Sequence, residues 1–135
     1  MNLARIATIC TLIWAAFIIY VGVGFLIAPE SVAPGFGLPA WPEGEAVAFS
    51  NLKGARDITF GLAGLALLAA GQRYALGIAT LVFAVAPIGD MITVLRWDGS
   101  TVTALSVHGL AAAFVALSGA LLIREHRTTA APISA

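Results

Sequence analysis

The chain has 135 residues, 60% of them hydrophobic and only 10% charged, with no formal net charge. Soluble domains carry about 25% charged residues, and a neutral balance excludes a basic nucleic-acid surface or a polybasic membrane-surface segment. The single cysteine, Cys10, excludes an intrachain disulfide and a Cys-x-x-Cys redox pair.

The mean hydropathy, +0.97, directs attention to membrane spans. From Ile6 to Ala28 the chain has neither charge nor proline, enough to cross about 30 Å of hydrocarbon. A cleaved signal peptide would need a shorter apolar core, about 7–15 residues, followed by a small-residue cleavage site. Ser31-Val32-Ala33 serves poorly because Pro34 follows it, so a retained first span over about 6–28 is expected. Residues 29–45 form a long connection broken by Pro29, Pro34, Gly35, Gly37, Pro39 and Pro42. Such a segment cannot be one regular helix. Phe36 and Trp41 are expected to anchor it at headgroup level.

The second span carries the most information. Ile58 to Ala70 is apolar but too short to cross, and extending it back to about Ala46 supplies the roughly 20 residues needed. That extension draws Lys53, Arg56 and Asp57 into the helix, over about 46–70. Gly71-Gln72-Arg73 makes a tight hairpin to a third span over about 74–95, which contains Pro87 and Asp90. Pro87 cannot donate a backbone hydrogen bond, so it frees the carbonyl of Phe83 and favours a kink. Trp97-Asp98-Gly99-Ser100 is a turn signal. A fourth span over about 102–123 contains His108. The expected fold is all-α: a four-transmembrane-helix bundle over residues 1–128, with a short polar tail at 129–135; His126, between Glu125 and Arg127, is expected to be a cytoplasmic tail residue. Arg5, Arg73, Arg124 and Arg127 share one side, which the positive-inside rule makes cytoplasmic. Both termini then lie in the cytoplasm, and the location expected is the plasma membrane.

With four antiparallel spans, Asn51, Lys53, Arg56, Asp57, Asp90, Arg96, Asp98 and His108 all fall in one membrane half, and the opposite half is expected to hold almost no polar side chain. A charge in hydrocarbon costs roughly 2.5–3.5 kcal/mol on insertion scales, so such a cluster is read as a paired functional site. At 100° per residue Lys53, Gly54, Asp57, Gly61 and Gly64 lie within about a 100° arc. The glycines admit a neighbouring backbone, so Asp57 points inward with Lys53 as its i,i+4 partner. Arg56 is placed to reach a second acid, Asp90 or Asp98. His108 is usually a packing residue in such a setting, but it is the residue type suited to proton exchange near neutral pH.

The candidate ligand-binding set is therefore Asn51, Lys53, Arg56, Asp57, Asp90 and His108. If the protein is an enzyme, Asp57, Asp90 and His108 are the catalytic candidates. A metal would need ligands from three spans with no supporting local spacing, so no metal is expected, and no cofactor motif is present. Gly22-Val23-Gly24 reads as a packing notch. Four short spans enclose little volume, which leaves room for a homo-oligomer with Gly22, Gly24 or Gly119 at the contact.

The pattern Pro29, Lys53-Gly54-x-Arg56-Asp57, Gly61, Arg73, Pro87-x-x-Asp90 and His108 resembles that of small four-span bacterial and fungal membrane proteins grouped as a domain of unknown function. The architecture also resembles DoxX-type four-helix membrane proteins. Neither resemblance implies an activity. The expected partners are the lipid bilayer and a small lipophilic or amphipathic ligand. The expected function is binding or moving that ligand in the intramembrane polar pocket. The alternative is a membrane-embedded acid–base enzyme, such as an isomerase, cyclase or epoxide-opening hydrolase. A third reading is a structural assembly subunit whose ion pairs only lock the fold.

Overall fold

The computed structural model describes residues 2–129, and the regular elements are helices: α1 (Leu3–Ile27), α2 (Pro29–Val32), α3 (Val47–Ala69), α4 (Arg73–Phe83), α5 (Val85–Arg96), α6 (Thr101–Thr103) and α7 (Leu110–Thr129). A π-helical stretch, Ala104–Gly109, joins α6 to α7. Residues 130–135 of the expected polar tail lie outside the described residues. α7 itself runs past the predicted end of the fourth span, so His126, expected in the tail, is helical together with Arg124, Glu125 and Arg127.

Three stretches are long and apolar enough to cross a membrane: Leu3–Ile27, Arg73–Arg96 and Thr101–Thr128. They mark a membrane protein. Bulky apolar side chains such as Phe49, Leu62, Val82 and Leu117 face outward, as a lipid-facing surface requires. α3 has the length, 23 residues, but its three charges leave it outside that group. The expected count of four spans is thus met by composition in only three.

The local chemistry explains each boundary. The Asn2 side chain accepts from the N–H of Arg5 and caps α1. Pro29 stops it and starts the single turn of α2. A 3-10 turn, Ala33–Phe36, ends at Gly37, whose φ of 98° suits only glycine. At the end of α3 the N–H groups of Gly71 and Gln72 bond back to Leu68 and Leu67, a Schellman ending with the left-handed glycine it needs. The third apolar stretch is interrupted at Ala84, one turn before Pro87.

α1 packs on α3 and α7, and α4 packs on α3 and α7. The α1–α3 contact is set by glycine. A Cβ on Gly54 would stand 2.6 Å from the carbonyl oxygen of Gly22, and one on Gly61 would stand 2.8 Å from that of Ala15. Gly22 is the predicted packing notch. Gly119 faces the Gly77 backbone and Gly24 faces Val32. All three glycines assigned to an oligomer contact are therefore occupied within the chain, and a second copy has to use another face. Gly54→Ala is expected to cost about 1–3 kcal/mol of stability by forcing two backbones apart. Gly89→Ala, which meets nothing within 4 Å, serves as the neutral control. Unfolding in detergent micelles checks the difference, and equal stability would mean that the backbones are not in contact.

The tight core holds Ala7, Trp14, Ala15, Leu76 and Leu122, with Ile18, Leu65, Leu68, Phe83 and Phe114 against it. It fills the end formed by the starts of α1 and α4 and the close of α7. That end, expected to hold almost no polar side chain, holds several. Arg73 bonds the Glu125 carboxylate, and donates to Thr8 Oγ1 and the Ala4 carbonyl at 3.1 Å each. Thr11, Thr80 and Ser118 are also buried. Arg73, read from the sequence as a loop charge, ties three helices together.

Candidate functional site

At the other end, the glycine stripe carries Asp57 inward with it. Gly54, Asp57, Gly61 and Gly64 are the buried positions of α3, and Asp57 is only 1% exposed. Its carboxylate is fully engaged. Lys53 Nζ donates to Oδ2 at 2.6 Å, while Arg56 Nε and Nη2 donate to Oδ1 at 3.2 and 3.1 Å. The Lys53 ammonium also lies 5.0 Å from the ring centre of Phe25 and 5.3 Å from that of Phe36. Aromatic faces stabilise a cation taken out of water.

Asp90 arrives from α5, three residues beyond Pro87. Its oxygens stand 3.6 Å from Lys53 Nζ and 3.9 Å from Arg56 Nη2. At those separations the attraction is Coulombic without a hydrogen bond. The two carboxylates thus differ: Asp57 accepts three hydrogen bonds, and Asp90, 20% exposed, accepts none from its cations and keeps acceptor positions open. The sequence offered Asp90 or Asp98 as the second acid for Arg56, and the structure brings Asp90 to it.

His108 lies on the π-helical stretch, whose widened turn sequence periodicity does not reveal. Such turns concentrate at functional sites. Its Nε2 is 2.8 Å from the carbonyl oxygen of Phe36. A carbonyl only accepts, so Nε2 carries the hydrogen. The Phe36 and His108 rings also meet, 4.6 Å between centres. Phe36 therefore turns inward over the cluster, where the sequence reading had it anchoring at headgroup level. The loop is held there from a second side: Ser100 N–H donates to Gly37 O at 2.7 Å.

Between these elements lies a cavity of about 640 Å³. Lys53, Asp57, Asp90 and His108 lie along it together with Ser106, and aromatic side chains from α1, α3, α4 and α7 make up much of its wall. Pro87 lines the cavity, just beyond the break at Ala84 that separates α4 from α5. Two candidates stand apart. Asn51 is exposed and does not line the cavity, and Arg56 reaches Asp57 without lining it. Arg96 and Asp98 are exposed and join no ion pair of the cluster. Among the described residues, no group of three His, Cys, Asp or Glu side chains is placed to hold a metal ion.

Sequence reasoning missed Trp14, Phe25 and Phe60 as cavity walls. The one available signal was Trp14 itself, a polar N–H midway along a segment with few other polar groups.

A family model described as Domain of unknown function (DUF4267) matches residues 15–122, a stretch that holds every charged member of the cluster and His108. No curated protein and no solved structure matches the chain.

Proposed function

We propose that this chain, which belongs to the DUF4267 family, is an integral membrane protein whose polar pocket binds or moves a small amphipathic molecule. The observation that carries this reading is the cavity, about 640 Å³ with apolar walls and a polar end. Small-molecule sites span roughly 300–1,000 Å³ and combine apolar lining with a few convergent polar groups. Ion pairs that only clamped helices would sit in packed core, whereas these sit beside an open volume. Lys53-Gly54-x-Arg56-Asp57 is the motif that builds the polar end, with Asp57 as its fixed centre and Lys53, Asp90 and His108 as the groups that face the ligand.

In this reading α3 is a fourth crossing and completes a four-transmembrane-helix bundle. Its charges can be carried because Lys53, Arg56, Asp57 and Asp90 sum to zero within one contact network. The Arg73 network draws the start of α1 and the end of α7 to one side. Arg5, Arg124 and Arg127 belong to that side, which favours cytoplasmic termini in the plasma membrane.

A second reading, a membrane-embedded acid–base enzyme on a lipophilic substrate, is favoured by the open acceptor positions of Asp90. There Asp90 is the base and His108 passes the proton on, while Asp57 holds the cations in place.

The test is extraction in mild detergent followed by mass spectrometry of whatever lipophile is retained. One intact molecule supports binding, and a substrate–product pair supports catalysis. Asp90→Asn and His108→Gln keep size and hydrogen-bonding capacity, so both variants are expected to fold as the parent does and to lose the retained molecule. Lower thermal midpoints with retention unchanged would instead assign both residues to the scaffold.

A further inference from the structure

The polar end of the cavity is balanced in charge but not in hydrogen bonds. Two cations, Lys53 and Arg56, face two carboxylates, Asp57 and Asp90. A ligand carrying net charge would leave water without meeting a spare opposite charge, which is strongly unfavourable.

Several hydrogen-bonding groups at that end are already committed. Asp57 accepts from Lys53 and Arg56. His108 gives its Nε2 hydrogen to the Phe36 carbonyl, and the Ser106 hydroxyl donates to the Val102 carbonyl at 2.6 Å. Lys53 and Asp90 keep capacity. An ammonium has three hydrogens, and Lys53 gives one of them to Asp57. Asp90 accepts none from its two cations, at 3.6 and 3.9 Å. Both side chains line the cavity and are partly exposed, 18% and 20%.

The gap between them has a definite chemical complement. Lys53 Nζ and Asp90 Oδ2 stand 3.6 Å apart, too far for a direct hydrogen bond. An oxygen about 2.8 Å from each closes a triangle over that gap. Such an oxygen must accept from the ammonium and donate to the carboxylate, and a hydroxyl does both. An ether or ester oxygen satisfies only Lys53. A ligand ammonium satisfies only Asp90, and a ligand carboxylate sets a third negative charge against two cations. The rest of the wall is mostly apolar, with Val21, Phe25, Phe60 and Phe83 in it, so hydrocarbon suits the space beyond the hydroxyl.

We infer that the ligand is an uncharged lipophilic alcohol, held with its hydroxyl between Lys53 and Asp90 and its hydrocarbon against the aromatic wall. This rests on the binding reading and narrows its ligand from any amphiphile to a neutral one that bears a hydroxyl.

The test uses the whole protein in phosphatidylcholine nanodiscs at mildly alkaline pH, where a carboxylate and an alkylammonium both carry their charge. Four probes with the same chain are titrated: dodecanol, dodecyl methyl ether, dodecanoate and dodecylammonium. Retained probe is read against empty nanodiscs, and the thermal midpoint reports whether each protein is folded. In the unmodified protein dodecanol is expected to bind about tenfold more tightly than the ether, which has no hydrogen for Asp90. It is expected to bind more tightly than either ion as well. Asp90→Asn removes one negative charge at nearly constant size and leaves a cation in excess, so the order of dodecanol and dodecanoate is expected to reverse. An ether that binds the unmodified protein as well as dodecanol overturns the hydroxyl. An ion that does so overturns the neutral ligand, whatever the variant does. A folded Asp90→Asn that keeps the parent order overturns the role of Asp90. Each of these results leaves the pocket standing. Failure of all four probes to bind removes the pocket reading, and this inference with it.

Discussion

Asp57→Ala is expected to cost about 3–5 kcal/mol of stability, the usual penalty for breaking a buried ion pair from one side. The carboxylate is 1% exposed and receives all three hydrogen bonds that Lys53 and Arg56 make to it. Without it, the Lys53 ammonium keeps only Asp90, at 3.6 Å, and the Phe25 and Phe36 rings. Arg56 contributes less to the loss, because at 42% exposure water screens its interactions. Asp57→Asn keeps the shape and one acceptor oxygen, so an intermediate loss is expected. Thermal or denaturant unfolding in detergent checks the series. A midpoint for Asp57→Ala equal to that of the parent would mean that the carboxylate meets water and that no buried network exists.

Arg73→Ala is expected to be nearly as damaging, on the order of 3 kcal/mol, although it lies at the end of the bundle remote from the cavity. Its guanidinium reaches Glu125 on α7 together with Thr8 and the Ala4 carbonyl on α1. Alanine releases three helices at once and takes from the buried Glu125 the cation it meets here. Arg73→Lys should recover only part of the stability, since a single ammonium cannot serve three acceptors in the fork geometry of a guanidinium. Unfolding midpoints give the size of the loss, and ligand retention gives its location. Retention per folded molecule should be unchanged, because Arg73 does not line the cavity. If Arg73→Ala abolished retention while leaving the midpoint alone, the two ends would have exchanged roles.

Some features were legible because they depend on local pattern. The run from Ile6 to Ala28 is apolar for long enough to be helical without further information, and Pro87 announces the break at Ala84 through its missing N–H. The stripe Gly54, Asp57, Gly61, Gly64 follows from helical period alone, so the burial of Asp57 and its Lys53 partner could be read directly. The convergence of Asp90 and His108 on that group needed only the order of the helices.

Other features depend on how the helices lean on one another. Phe36 looked like an interfacial anchor because aromatic side chains gather at headgroup level. The Gly37–Ser100 hydrogen bond and the His108 imidazole decide that it turns inward instead. Arg73 and Glu125 are 52 residues apart, a separation that no local rule bridges. Asn51 and Asp57 stand six positions apart on one helix, yet only Asp57 follows the glycine stripe inward. The sequence by itself determined the helices, the break before Pro87 and the charged face, since each arises from spacing along one segment. Only the tertiary structure decided the cavity and the contrast between a hydrogen-bonded Asp57 and an open Asp90, because empty volume and distance between segments are properties of packing.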